Sequence, residues 1–254
     1  MNQIGFIARR SIRRTLRQPA LIIPTIVFPL FLLAVNASGL HAATKLPGFP
    51  TDNYLSFSLS VSFMQGALFA ATTAGAELAT DIETGFLNRL ALTPLRGIGI
   101  LVGQLAGAVF VSLLASLVYL GVGLLAGAQL EAGVGGAVVL FALATLIGVA
   151  FGAIGLFMAL RTGSAEAVQG LFPLMFVVFF LSSINLPRNL IQTTWFRDVA
   201  TYNPVSYLVE GIRSLVITGW DAEALALGFG IAAGLAAIAF AGAASALRTR
   251  LTRT

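Results

Sequence analysis

ELATDIETGFLNRLALTPLR, residues 77–96, is a polar island in a strongly apolar chain. It holds three acids (Glu77, Asp81 and Glu83), then Gly85, an amphipathic turn or two of helix from Gly85 to Leu92, and Pro94. Hydrophobic blocks flank it at 54–76 and 98–126. About 20 apolar residues cross the roughly 30 Å hydrocarbon core of a bilayer as a helix, so the island reads as a loop between two spans. A loop this polar, in a chain this apolar, calls for a partner outside the membrane.

Composition points the same way. Of 254 residues, 57% are hydrophobic and only 10% charged, where a soluble domain carries about a quarter charged residues. Mean hydropathy is +0.92. Working outward from the island, the apolar runs predict an all-α polytopic membrane protein. Its six spans lie at about 20–40, 54–76, 98–126, 133–160, 165–185 and 223–246, with 77–97 as a loop. Pro24 and Pro29 inside the first span free carbonyls that neighbours must satisfy. Gly99, Gly103 and Gly107 leave one side of the third span as bare backbone, and Gly148, Gly152 and Gly155 do so on the fourth; both are packing signals. Ser164 is a candidate N-cap, and Pro173 a candidate kink, of the fifth span.

Residues 1–18 read as a basic amphipathic helix, with a disordered basic tail as the alternative. Arg9, Arg10, Arg13, Arg14 and Arg17 fall within an arc of roughly 140° on a helical wheel, opposite Ile4, Ile7, Ala8, Ile12 and Leu16. Such a helix lies on an anionic membrane surface. The basic region is too long for a cleavable signal peptide. Six spans put both termini on one side. Arg9, Arg10, Arg13, Arg14, Arg17, Arg89, Arg96, Arg161, Arg248, Arg250 and Arg253 lie there, against Lys45, Arg188, Arg197 and Arg213 opposite. Eleven cations against four make the termini and the island cytoplasmic. The net charge of +5 is topology information of this kind and does not indicate a nucleic-acid partner.

Residues 187–219 are too polar for an ordinary span and too apolar for a free loop. Asn203 and Pro204 read as N-cap and first helical residue, and Gly219 as the stop. The helix between is about 15 residues, roughly 22 Å, too short to cross. Glu210 and Arg213, three apart, are expected to pair, and Trp195 and Trp220 to anchor the segment at the interface. The reading is two short re-entrant helices on the outer side; a plain amphipathic surface helix is the alternative.

Several chemistries are excluded. The single lysine, Lys45, follows Thr44 rather than a phosphate-binding glycine loop, so the chain has no P-loop. One histidine, His41, and no cysteine leave no zinc-type ligand set and no Ser–His dyad. The acids sit at predicted span ends, which argues against ion coupling; a self-contained ion-coupled carrier or channel remains the competing class. What is left is a membrane body with no energy source of its own. On spacing alone, Phe86, Leu87 and Leu90 could fill a soluble motor's groove, or the island could be an ordinary interfacial turn.

The motifs resemble a known family. ETGFLNRLALTPLRGIGILVGQL is similar to the stretch after the second span of type-2 ABC transporter permeases: an acid, x, Gly, then Leu or Phe, a basic residue, Leu and a Pro. Here these are Glu83, Gly85, Phe86, Arg89, Leu90 and Pro94. The family's Pro, aromatic, Asn-Pro, Glu-x-x-Arg pattern before the last span is matched by Pro187, Trp195, Asn203, Pro204, Glu210 and Arg213. Within the family, the daunorubicin-resistance branch of drug exporters is nearest. The resemblance implies a permease subunit in the cytoplasmic membrane that binds no cofactor itself. Cytoplasmic P-loop ATPase subunits would carry ATP and Mg. A second copy, or a sibling permease, would meet the chain along the first and fifth spans. Glu77, Asp81, Glu83, Gly85, Phe86, Arg89, Leu90 and Pro94 would couple to the ATPase, and the second motif would form an outer gate. A sugar-polymer path would favour Trp and Tyr, but there are 19 Phe against 2 Trp and 4 Tyr. The expected cargo is therefore apolar or amphiphilic, passing Phe63, Gln65, Phe172, Phe176, Phe179 and Phe180.

Overall fold

The computed structural model describes residues 3–91 and 97–252, and the regular elements among them are all helical. They are α1 (Gln3–Leu16), α2 (Pro19–Gly39), α3 (Tyr54–Glu83), α4 (Phe86–Ala91), α5 (Gly97–Leu125), α6 (Gly133–Thr162), α7 (Ala165–Gln169), α8 (Phe172–Phe180), α9 (Thr194–Tyr202), α10 (Pro204–Ile217) and α11 (Ala222–Leu251). Short 3-10 turns lie at His41–Lys45 and Arg188–Leu190.

Among the described residues, five helices are long and apolar enough to cross a membrane: α2, α3, α5, α6 and α11. The expected span at 165–185 is instead the broken pair α7 and α8. Pro173 does not kink a continuous helix; it sits in the first turn of a new one, where its missing N–H costs nothing. Ala165 bonds to Glu83 at one end of α3 and Asn185 to Tyr54 at the other, so the broken segment still runs the length of that helix and the six-span count is roughly kept. The island also differs from expectation. α3 does not stop at residue 76 but runs unbroken through Glu77 and Asp81 to Glu83. Its 30 residues extend about 45 Å, so its last turns clear the hydrocarbon layer.

α3 and α6 form the centre, and α2 and α11 the periphery. In lipid the apolar effect does not drive helices together, so close approach and dispersion decide the packing. A Cβ built on Gly155 would lie 1.9 Å from the carbonyl oxygen of Ala71, and one on Gly75 2.8 Å from that of Gly155. α3 and α6 thus touch backbone to backbone. Pro29 of α2 behaves as expected. Pro29 has no N–H for the carbonyl of Thr25, and the Tyr119 hydroxyl donates to that carbonyl from α5.

The bare face of α5 is the seat of α1. Cβ atoms on Gly103 and Gly107 would fall 2.5 Å from Ile7 and 2.4 Å from Ser11. The stripe of α1 turned to the protein is Ile7, Ser11 and Thr15, all buried, while Phe6 and Leu16 are exposed. The helix is therefore rotated from the orientation its apolar residues alone suggest. The hydrogen bonds of its polar residues explain the rotation.

Candidate functional site

Three sites take shape around this frame. The first is at the cytoplasmic ends expected from the charge count. Asp81 is 2% exposed and accepts four hydrogen bonds. Two come from the Nη atoms of Arg10 at 2.9 Å each, one from Arg14 Nη1 at 2.7 Å and one from Gln104 Nε2 at 2.8 Å. One turn earlier, Glu77 is buried, with Thr15 Oγ1 at 2.7 Å and Ser11 Oγ at 3.3 Å. The two acids fasten α1 to α3 and α5, and their carboxylates face inward. Asp81 holds the Arg10 guanidinium protonated, above even its ordinary range, chiefly through their hydrogen bonds.

The turn out of α3 needs Gly85. Its φ of +69° is left-handed, while the space around it is open, so conformation and not crowding asks for glycine. α4 then docks by one face. Leu87 is 1% exposed, Leu90 packs partly buried, and the Phe86 ring lies 3.9 Å beneath the Arg10 guanidinium. Arg89 is exposed. Glu83 Oε1 accepts from the backbone N–H of Ala165 at 3.1 Å, and Ser164 caps the same helix, α7, as its sequence suggests. Pro94 lies outside the described residues.

The second cluster is on the opposite side, in the second motif. Asn203 caps α10 by accepting from Val205 N–H at 2.9 Å, with Pro204 next to it, and Gly219 (φ +88°) follows the helix end. Asn203 also donates to the Val178 carbonyl of α8 at 2.7 Å. The expected Glu210–Arg213 pair is not formed. Glu210 takes Arg188, from just after Pro187, and also Ser183 Oγ at 2.9 Å. Arg213, three residues on, points into the protein. It donates to the carbonyls of Ser183 and Ile184 at 3.1 and 3.0 Å, with its guanidinium 3.6 Å over the Phe57 ring. α10 thereby holds the end of α8 at several points. Trp195, on α9, and Trp220 stand exposed at either end of this segment.

The third site is a cleft of about 300 Å³ between α2, α3 and the end of α8. It gathers Gln65, Phe176, Phe179 and Phe180 with Asn36 and Asn185. Gln65 Oε1 is buried with no hydrogen-bond partner. Phe172, Phe176 and Phe180 make a ladder with ring centroids 5.4 and 5.1 Å apart. Phe172 lines a neighbouring groove of about 420 Å³ with Phe69 and Thr72. Phe63 goes elsewhere, edge-on to Tyr119 in the core at 5.8 Å. Sequence reasoning did not name Arg10, Arg14 and Gln104 as partners of the island. The glycines of α5 signalled that something packs there, but not what.

Comparison with known proteins agrees with the family resemblance. Residues 2–217 match the family model described as ABC-2 type transporter. The chain is also 23% identical over 211 residues to the probable doxorubicin resistance ABC transporter permease protein DrrC of Mycobacterium tuberculosis, in strains CDC 1551 / Oshkosh and ATCC 25618 / H37Rv. The match covers 83% of this chain and 75% of each relative. With five membrane-length helices and a family match over most of its length, the chain is a multi-pass membrane protein of the ABC-2 type transporter family.

Proposed function

We propose that this chain is the permease subunit of an ATP-driven exporter of hydrophobic or amphiphilic molecules. It sits in the cytoplasmic membrane with both termini and α4 inside. The observation that carries the reading is the footing of α4. Leu87 is sunk into the core and Phe86 lies under Arg10, while Arg89 stands out on the open side. A short helix so placed can take a push from a soluble ATPase and pass it to α3. Glu83 and Gly85 serve by setting the turn and tying it to α7. Glu77 and Asp81 serve indirectly, by keeping α1 in place under the load.

The cleft suits the cargo. A drug-sized ligand wants an apolar, aromatic-lined recess with one or two polar groups for orientation. Phe176, Phe179 and Phe180, with Phe172 stacked on Phe176 from the neighbouring groove and the unpartnered Gln65 carbonyl, supply those elements. The relatives' names point to doxorubicin resistance, and a flat amphiphile of that kind fits the lining. Exposed Val27 and Phe31 of α2, with Leu174 and Val177 of α8, offer the apolar face where a second copy or a sibling permease would close the path. The outer cluster around Glu210 and Arg188 would then be the exit gate. The test is to purify the tagged chain in mild detergent and to follow doxorubicin uptake into inverted membrane vesicles. A P-loop ATPase should co-purify and uptake should require ATP. Absence of the ATPase together with ATP-independent uptake would overturn the proposal.

A further inference from the structure

The geometry points to a binding site for the phosphate of an anionic lipid headgroup at the α1–α2 junction. A recess of about 520 Å³ is lined by Arg10, Arg13, Arg14, Arg17 and Gln18. Two of these arginines are already engaged, because Arg10 and Arg14 share Asp81. Arg13 and Arg17 are exposed and make no ion pair or side-chain hydrogen bond with the described residues. Arg17 lies just past the end of α1, its N–H donating to the Arg13 carbonyl at 3.2 Å, so the two side chains leave the backbone one turn apart, a placement that lets an anion with several acceptor oxygens bridge them. The charge there is one-sided. Four arginines of α1 (9, 10, 13 and 14) and Arg17 just beyond it face two acids, Glu77 and Asp81, which leaves three positive charges over.

Position selects the lipid as the source of the phosphate. Gln18 immediately precedes Pro19, where a 21-residue apolar helix begins, so the recess sits where a chain enters the bilayer. The outward face of α1 also mixes Phe6 and Leu16, about half exposed, with Arg9 and Arg13, and Arg17 follows directly. Mixed apolar and basic side chains suit the boundary between headgroups and acyl chains. The carboxylate of Asp81 fixes two walls of the recess in advance, so an arriving phosphate orders only the other two arginines.

The test uses the full chain in neutral-detergent micelles, with its melting temperature followed as phosphatidylglycerol, phosphatidylcholine or inorganic phosphate is added. Phosphatidylglycerol should raise the melting temperature saturably and the other two should not. The double variant Arg13→Gln/Arg17→Gln should shift half-saturation about thirtyfold, roughly fivefold per arginine near an anionic surface. Arg161→Gln/Arg248→Gln, with the same charge change on two exposed arginines elsewhere, should leave it in place. An unchanged response in the Arg13/Arg17 variant overturns the site. Saturation by millimolar phosphate alone overturns the lipid assignment. If that variant keeps its lipid response but no longer co-purifies with an ATPase, the recess is a protein contact and the inference fails.

Discussion

Replacing Asp81 by alanine should release α1 while leaving the bundle folded. The carboxylate accepts four hydrogen bonds, three of them from guanidinium groups. Losing one member of a fully buried ion pair costs about 3–5 kcal/mol, whereas an exposed pair is worth at most about 1 kcal/mol. This cluster lies between those limits. The side chain of Asp81 is 3% exposed, but those of Arg10 and Arg14 are 38% and 22% exposed, so both cations regain water once the acid is gone. About 2 kcal/mol is the resulting expectation, a roughly thirtyfold rise in the opening equilibrium of α1. Ile7, Ser11 and Thr15 still sit in the glycine groove of α5, so the helix loosens without leaving altogether. Amide hydrogen exchange reads this directly, because protection falls in proportion to the opening constant. With the full chain in nanodiscs, peptides from α1 should exchange about thirtyfold faster in Asp81→Ala, while those from α6 keep their protection. Asp81→Asn, which retains one acceptor oxygen, should fall between. If α1 exchange changes less than threefold, the ion cluster is not what holds α1, and the reasoning fails.

Gly155→Ala should be among the most damaging single changes. Its methyl group would meet the backbone of α3 at 1.9 Å, and the purified variant should melt far lower or aggregate; Gly230→Ala, with nothing within 4 Å, should be neutral or stabilising by up to about 1 kcal/mol. Arg213→Ala strands the carbonyls of Ser183 and Ile184 and should cost about 3 kcal/mol in a denaturation assay, whereas Arg188→Gln, in a pair about one quarter exposed, should cost under about 1 kcal/mol. Gln65→Leu removes a buried, unpartnered carbonyl; it should raise stability by about 1 kcal/mol and lower doxorubicin uptake. Arg89→Glu should abolish stimulation of the partner ATPase without changing α1 exchange, the inverse of Asp81→Ala in its immediate effect.

Membrane spans are legible in a sequence because lipid leaves the backbone one local solution, a helix of some 20 apolar residues. Caps are legible for a similar reason. Ser164 and Asn203 act on amides two or three residues away, and both do so here. The misreadings arise where the deciding partner is distant. Glu210 and Arg213 invite pairing because they are neighbours on one helix, but Arg188 lies 22 residues away and the carbonyls that take Arg213 about 30. Asp81 and Arg10 are separated by 71 residues, and no local pattern links them. Pro173 was visible, but a proline in an apolar run can bend one helix or begin another. Only the tertiary frame, where α10 grips the end of α8, shows that it begins one.

The polar island therefore divides into two parts with different work. Glu77 and Asp81 belong to α3 itself and are used up inside the fold. Glu83 and Arg89 lie in the part that faces outward, with Leu87 anchoring it from beneath. A load applied at α4 has three routes onward, and their strengths differ. The cation–π contact of Phe86 with Arg10 and the bond from Ala165 to the exposed Glu83 are each worth about 1 kcal/mol. The burial of Leu87, 1% exposed in a close-packed cluster, is worth about 2–5 kcal/mol if judged by the cost of truncating such a side chain. The firm route runs through Leu87 into α3, and from there across the backbone contact of Gly75 and Gly155 into α6. The Arg10 and Glu83 links are weak enough to break and re-form within a transport cycle. In the proposed exporter they would steer α1 and α7 rather than bear the stroke.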